Sequence, residues 1–145
     1  MYPELMVVPM REELTRLGIE ELRTAQEVEQ LLSERKGTVM VVVNSVCGCA
    51  AGRMRPAVRI AMEHALRPEK VVSVFAGQDR EATEQARRHF ADYPPSSPSI
   101  ALLRDGELVF MMQRMDIENR EAEDIAENLT SAFDRFCAKS GAAKN

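Results

Sequence analysis

Short apolar runs alternate along the chain with segments in which apolar and charged residues recur at helical spacing. Four such runs predict strands, at residues 39–43, 71–75, 99–103 and 108–112. The first run is nearly all β-branched, which is typical of a strand buried on both faces. The last two runs flank Asp105-Gly106, a dipeptide that favours a tight hairpin turn. The pattern therefore predicts two buried strands followed by a hairpin.

Helical spacing predicts helices between the strands and at both ends of the chain. The predicted ranges are 10–36 (one or two helices, broken near Gly18), 50–66, 79–90 and 116–139. Asp79 is a candidate N-cap, because its carboxylate can accept from the free N–H groups of a first turn. Pro56 lacks a backbone donor and should kink its helix unless it lies in the first turn.

The element order predicts one α/β domain over residues 1–145, with an N-terminal helical extension at 1–36 and a core at 37–139. The order is similar to that of a thioredoxin-like three-layer sandwich, in which helices cover both faces of a mixed sheet. In such a fold, the first turn of the helix after a central strand lies at the edge of the sheet where ligands bind.

Charge and cysteine content exclude several classes of function. The net charge is -4, and the charges are mixed in sign without a basic stripe, which argues against a nucleic-acid partner. No apolar run is long enough to cross a membrane, and the N-terminus lacks the pattern of a secretory signal. Three cysteines make a poor framework for a disulfide-rich secreted fold. We therefore expect a cytoplasmic protein without a membrane partner.

Cys47 and Cys49 follow the first predicted strand directly, within the segment NSVCGCAAG. Free backbone N–H groups and the helix dipole stabilise a thiolate at a helix N-terminus, so this placement predicts Cys47 as a nucleophile. The alternative is that both cysteines are small, buried packing residues. The polar Asn44-Ser45 pair before them argues against core positions.

The single spacer residue limits the chemistry of the pair. Helical positions i and i+2 point to nearly opposite sides, so a regular helix cannot join Cys47 to Cys49 and its first turn must open. A disulfide between them is expected to be strained, which favours mixed disulfides of Cys47 with an outside thiol.

A metal site is the alternative use of clustered cysteines, and the sequence does not favour it. Only His64 and His89 could complete a ligand set, and neither has suitable spacing, so we predict no metal and place both on solvated helix faces. Cys137 follows Phe136 on the apolar face of the last predicted helix. A buried packing thiol is the preferred interpretation, and a resolving role is the alternative.

Several segments resemble the bacilliredoxins, thioredoxin-like proteins with a Cys-Gly-Cys site. They are VVPMREELTRLG, VVVNSVCGCAAG, VFAGQD, DYPPSSPSIALL and NLTSAFDRFC. The resemblance implies an enzyme that removes bacillithiol from S-bacillithiolated proteins, with bacillithiol as co-substrate and no bound cofactor. It also implies Cys47 as the attacking thiol and Cys49 as the second member of the motif. The segment DYPP departs from the small residues expected before SSPS.

The resemblance further implies a cis peptide before Pro98, opposite the cysteines, where an ordinary trans proline is the alternative. Gly48, Ser97 and Pro98 are the expected substrate-positioning residues. A general disulfide isomerase and a non-catalytic redox-sensing domain are the alternative functions. The sequence leaves open the oligomeric state and whether Cys49 or a second bacillithiol resolves the Cys47 adduct.

Overall fold

The structure, a computed structural model, describes residues 1–137. Its strands are β1 Glu20–Glu21, β2 Thr38–Asn44, β3 Lys70–Phe75, β4 Ser99–Arg104 and β5 Glu107–Met112. Its α-helices are α1 Glu4–Thr15, α2 Ala25–Leu32, α3 Arg55–Ala61, α4 Arg80–Arg87, α5 Arg114–Ile117 and α6 Ala122–Phe136. A π-helical turn at Ala50–Met54 leads into α3, and a 3-10 turn at Arg88–Phe90 follows α4.

The strands form one mixed sheet in the order β1-β3-β2-β4-β5. β3 runs parallel to both β1 and β2, whereas β4 is antiparallel to β2 and to β5. The four predicted strands are confirmed. The two-residue strand β1 was not predicted, because two glutamates at a sheet edge carry no apolar signal.

Strand β2 lies at the centre of the sheet and sends alternate side chains into two separate cores. Met40 and Val42 pack with apolar residues of α3 and α6 on one face. The odd-numbered valines of β2 pack with residues of α2 and α4 on the other face. Burial on both faces explains why the run is continuously apolar rather than alternating. The predicted α/β class and three-layer arrangement are confirmed.

The predicted hairpin is present between β4 and β5. Asp105 and Gly106 both have positive φ angles, of 51° and 85°. These are the angles that a type I′ turn requires, and they explain the Asp-Gly dipeptide. The Asp105 carboxylate also accepts the backbone N–H of Gly37 at 2.8 Å, which ties the hairpin to the start of β2.

The N-terminal and middle helix boundaries differ from the predictions. α1 begins at Glu4 rather than at residue 10, and the predicted break near Gly18 is confirmed. The predicted helix at 50–66 is a π-helical turn followed by α3, which ends at Ala61. Pro56 lies in the first turn of α3, directly after the π-helical turn in which the Arg55 N–H bonds the Ala50 carbonyl.

The last predicted helix is also wrong as a continuous element, because the chain breaks it into α5 and α6. The Arg53 guanidinium donates to the Arg120 carbonyl at 2.6 Å, and so occupies an oxygen that a continuous helix would bond internally. The predicted end at Lys139 lies outside the described residues. Within residues 1–137, no helix has the length and apolar character needed to span a membrane.

Asp79 occupies the N-cap position of α4 but makes no side-chain capping bond. Its carboxylate instead binds Arg11 of α1 at 2.7 Å. Arg11 is buried and also binds Glu4 and Glu21. The predicted capping role of the carboxylate is therefore wrong, because a buried guanidinium is a stronger partner than the free N–H groups of a short helix.

Candidate active site

Cys47 lies between the end of β2 and the first helical residue that follows it. Its carbonyl oxygen accepts the N–H groups of Ala50 and Ala51, at 3.0 and 3.2 Å. Cys47 therefore lies just before the helical segment, and Cys49 lies within its first turn. The placement agrees with the predicted position at the carboxyl end of the central strand.

The two sulfur atoms are in contact, with Cys47 Sγ 2.8 Å from Cys49 Sγ. A regular helix would point the two side chains apart. Because Cys47 precedes the helix, that rotation does not apply. The predicted opening of the first turn is therefore wrong, since the Ala50 and Ala51 N–H groups both bond the Cys47 carbonyl. Both thiols are half-buried and free, so exposure does not distinguish one from the other.

The surroundings of Cys47 favour its thiolate form. Burial raises the pKa of a thiol, but the Cys49 thiol and the Ser45 hydroxyl both hydrogen-bond the Cys47 sulfur and lower its pKa. The backbone N–H groups at the start of the helical segment act in the same direction. The result is a Cys47 pKa below the ordinary thiol value.

Cys49 has the opposite shift. Burial raises the pKa of Cys49, and the hydrogen bond and charge of the Cys47 thiolate raise it further. Arg114 at the start of α5 partly offsets these effects, because its positive charge lowers the Cys49 pKa. The pair therefore consists of an acidic Cys47 and a Cys49 that stays protonated and donates to it.

Polar residues at the end of β2 support the loop that carries Cys47. The Ser45 hydroxyl accepts the Cys47 backbone N–H at 3.2 Å. The Asn44 side-chain oxygen accepts the Ser45 backbone N–H at 2.9 Å. Arg55 of α3 donates to the same Asn44 oxygen at 2.9 Å and to the Ser45 carbonyl at 2.8 Å. Asn44, Ser45 and Arg55 thus form a hydrogen-bonded network that supports the loop of the thiol pair.

The structure places Ser97 and Pro98 at the same end of the sheet. The Ser97-Pro98 peptide bond is cis, as predicted. Ser99 pairs with Val43 of β2, so the residues before it extend alongside the segment that leads to Cys47. The preceding loop is held by Arg87, Gln113 and Arg114, which donate to the Ser96 carbonyl, the Pro94 carbonyl and the Ser96 hydroxyl.

Gly48 separates the two cysteines and is exposed. Apart from its chain neighbours Cys47 and Cys49, a Cβ atom built on Gly48 would meet no atom within 4 Å. The space over Gly48 is therefore open to solvent between the two half-buried thiols. The structure thus brings together Cys47, Cys49 and Gly48 in one loop, with Ser97 and Pro98 on the neighbouring strand connection.

Cys137 and the histidines lie away from this site. Cys137 is buried at the end of α6, beside Thr38 at the opposite end of β2, as the packing interpretation predicted. His64 lies beyond the end of α3 and binds Asp134 at 2.8 Å. His89 lies in the 3-10 turn, 3.6 Å from Glu29, with only 16% of its side chain exposed. The predicted solvated helix face is wrong for His89, whose side chain is largely buried, whereas His64 forms an exposed pair just beyond the end of its helix.

Sequence reasoning missed the contributions of Arg55 and Arg114. Arg55 lies three positions before the buried Val58, on the apolar face of α3, and a charged residue on an apolar face is a signal of a buried polar contact. Arg114 carries no such signal, because its relation to the cysteines arises only from the folding of β5 beside β4.

Solved structures support the fold. The mitochondrial thioredoxin 3 of Saccharomyces cerevisiae aligns with a TM-score of 0.57 and 14% identity, over 81% of this chain and 95% of that chain. A thioredoxin of Schistosoma mansoni aligns with a TM-score of 0.54 and 18% identity, over 79% of this chain and 97% of that chain. Two contacting thiols after the central strand of this fold define the class of protein, a thiol–disulfide oxidoreductase.

Sequence comparisons define the family. A model described as disulphide isomerase matches residues 2–137. A bacilliredoxin of Koribacter versatilis is 60% identical over 145 residues, which is 100% of both chains. A bacilliredoxin of Geobacillus kaustophilus is 52% identical over 137 residues, 94% of each chain. The chain belongs to the bacilliredoxin family, and the resemblance inferred from its motifs is confirmed.

Proposed function

We propose that the protein removes bacillithiol from mixed disulfides with other proteins, with Cys47 as the nucleophile. The observation that carries this proposal is the asymmetric thiol pair, in which Cys47 has a lowered pKa and Cys49, 2.8 Å away, has a raised one. A thiolate is the attacking form in disulfide exchange. The family name of the curated relatives supports bacillithiol as the small thiol.

The first step is an exchange without net oxidation or reduction. The Cys47 thiolate attacks the bacillithiol sulfur, and the Cys47–sulfur bond forms as the bond to the protein sulfur breaks. The protein leaves as a thiolate and takes a proton from solvent. Attack on the small, exposed sulfur is sterically easier than attack on the sulfur of the folded protein.

The second step removes the small thiol from Cys47. Either a second bacillithiol attacks the adduct, which releases oxidised bacillithiol, or Cys49 attacks it and forms an intramolecular disulfide that an outside thiol later reduces. The contact between the two sulfurs favours Cys49, because it already lies beside the atom that it would attack. Cys49 must first lose its proton. Burial still raises its pKa in the adduct, but the charge and hydrogen bond of the Cys47 thiolate no longer do, so formation of the adduct itself makes Cys49 easier to ionise.

We assign supporting roles to three residues. Gly48 leaves the approach to the sulfurs open, and the backbone of Ser97 beside Pro98 is presented to an extended substrate segment. A reducing cytoplasm is the compartment in which these free thiols are expected to work.

Disulfide isomerisation is the second candidate function, because the matching family model carries that description. One experiment separates the two. The protein is given, in parallel, a small protein carrying a single bacillithiol mixed disulfide and a protein with scrambled disulfides, both with bacillithiol as reductant.

We expect multiple turnovers on the mixed disulfide, measured by intact mass, and slow recovery of the scrambled protein. The matched substrate carries glutathione at the same cysteine, and we expect slower removal of glutathione. Faster refolding of the scrambled protein would favour isomerisation. Reaction of only one equivalent per chain on either substrate would favour a redox-sensing domain.

A further inference from the structure

Arg55 is a buried arginine directly beneath the active-site loop. It is 2% exposed, although an arginine side chain is rarely buried without a specific set of partners. Its Nη1 atom donates to the Asn44 side-chain oxygen and to the Ser45 carbonyl, and its Nε atom donates to Glu13 of α1 at 3.0 Å. The guanidinium therefore joins three elements: the end of β2, α3 and the N-terminal helix.

Ser45 is held from both sides by this network. Its N–H is bound by Asn44, its carbonyl is bound by Arg55, and it is only 7% exposed. Its hydroxyl accepts the Cys47 N–H at 3.2 Å, and the same hydroxyl lowers the pKa of the Cys47 thiol. The orientation of this hydroxyl depends on the fixed backbone of Ser45.

We propose that Arg55 is a positioning residue for Cys47 and acts through Ser45. In this proposal Glu13 orients the Arg55 guanidinium, so the N-terminal helix contributes to the active site. The proposal rests on the proposed role of Cys47 as the nucleophile, and it is independent of which small thiol is removed. The Asn44 side chain adds a second link to the same helix, because its Nδ2 atom donates to the Met10 carbonyl at 3.2 Å.

The physical reason is geometric as well as electrostatic. A planar guanidinium can bind several acceptors in fixed directions, whereas a lysine ammonium cannot reproduce that fork. Without the guanidinium, the buried Ser45 carbonyl loses its hydrogen-bond donor, and the backbone must shift to regain one. The Ser45 hydroxyl then moves from the Cys47 sulfur, which weakens the thiolate. The other groups whose charge or hydrogen bonding acts at Cys47 are Cys49, the Ala50 backbone N–H and Arg114, whereas the hydrogen-bond partners of Arg55 are Glu13, Asn44 and Ser45.

The test is the pH profile of Cys47 alkylation, with the modified site read by peptide mass. For Arg55→Lys, we expect roughly a tenfold loss of Cys47 alkylation rate at neutral pH, because a hydrogen bond to a charged group is worth about that factor in the thiolate-to-thiol ratio. The rate at high pH, where the thiol is fully ionised, should return to the wild-type value. For Glu13→Gln, we expect a smaller loss in the same direction, since Gln keeps an acceptor but removes the charge.

Two matched controls separate positioning from stability. Glu12→Gln breaks an exposed pair with Arg16 on the same helix and should leave the Cys47 profile unchanged. Arg11→Lys disturbs a second buried arginine, 5% exposed, whose carboxylate partners are Glu4, Glu21 and Asp79. It should lower the melting temperature without shifting the Cys47 profile.

A double-mutant cycle tests the route through Ser45. If Arg55 acts through the Ser45 hydroxyl, Ser45→Ala and Arg55→Lys together should shift the profile little more than the larger single change. Additive shifts, or an Arg55→Lys profile that coincides with wild type, would overturn the proposal. If Arg55→Lys does not fold, Glu13→Gln decides, and a profile equal to that of Glu12→Gln overturns it. Alkylation needs no substrate, so failure here is distinct from failure of the proposed function, which activity of Cys47→Ala would reveal.

Discussion

The two ends of strand β2 place cysteines in opposite chemical states. At the carboxyl end, Cys47 lies before a helical segment and its pKa is lowered. At the amino end, Cys137 lies at the carboxyl end of α6, and its pKa is raised. Seven residues of extended chain separate these ends, a distance of roughly 20 Å at about 3.3 Å per residue. Cys137 is therefore too far from Cys47 to resolve an adduct within one chain.

Burial alone does not decide whether a cysteine in this protein is reactive. Desolvation is the largest influence on both thiols, and it raises both pKa values. Cys47 overcomes it with hydrogen bonds from Cys49, Ser45 and backbone N–H groups. Cys137 receives a hydrogen bond from Thr38, but the nearby carboxylates of Glu69 and Asp134 add to the effect of burial. Donors at a helix start favour a thiolate, and acidic neighbours oppose one.

The largest expected effect comes from removing each cysteine in turn. Cys47→Ala should lower removal of the small thiol on the order of a thousandfold or more, because the nucleophile is lost. Cys137→Ala should retain the wild-type rate, with a lower melting temperature from the cavity it leaves. Turnover of a bacillithiolated protein, followed by intact mass, measures both. Activity of Cys47→Ala at the wild-type rate, with Cys49→Ala inactive, would transfer the nucleophilic role to Cys49.

The next largest effect is expected from changes to Cys49, the second thiol at the carboxyl end of β2. Cys49→Ala should retain the first turnover and accumulate a Cys47 adduct visible by intact mass. The first turnover should slow by roughly tenfold at neutral pH, because Cys47 loses a hydrogen bond to its thiolate. Cys49→Ser keeps a donor and serves as the matched variant, with a faster first turnover than Cys49→Ala. Absence of an adduct in both variants would argue that a second bacillithiol resolves it.

The pH dependence of stability should have opposite signs at the two ends. Between the lowered folded pKa of Cys47 and the unfolded value of about 8.5, the unfolded state binds more protons, so this group's contribution to stability rises with pH. This contribution of Cys47 to stability is lost as the pH falls through the pKa of Cys47 in the folded protein. Cys137 has a raised folded pKa, so its contribution is full below about 8.5 and is lost as the pH rises through the folded value.

Denaturant unfolding under reducing conditions, from pH 6 to pH 10, measures these slopes. Cys47→Ala should remove the rise with pH, and Cys137→Ala should reduce the alkaline loss and leave the part that comes from the raised pKa of Cys49. The variants are compared by the slope of the free energy of unfolding against pH, because each substitution also shifts the absolute stability. Equal slopes in both variants and wild type would contradict the assigned shifts.

The smallest effect comes from the exposed arginines at the two ends. Arg114→Gln should raise the pKa of Cys49 and slow its alkylation by about twofold, since exposed charges interact weakly. Arg104→Gln is the matched variant, because Arg104 has the same influence on Cys137. Each change should act only at its own end and should disappear at high salt. An effect of Arg114→Gln on the alkylation of Cys137 would contradict the independence of the two ends of β2.

Residue pattern was sufficient to predict four of the five strands, the hairpin and the position of the thiol pair. Residues 39–43 are apolar because both faces of the strand are buried, and Asp105-Gly106 supplies the positive φ angles of its turn. These features are local, so spacing and residue type are sufficient to predict them. The short spacer misled in one respect: the first turn stays closed, and the sulfurs meet because Cys47 lies just before the helix.

The groups that surround each thiol follow from the packing of distant elements and could not be predicted from residue pattern. Arg55 reaches the Cys47 loop from α3 and is itself bound by Glu13 of α1, and Asp79 binds Arg11 in place of capping α4. Cys137 lies beside Thr38 because α6 crosses the sheet to the far end of β2. Such contacts join residues far apart in sequence, and their energies depend on burial and distance, which residue spacing does not encode.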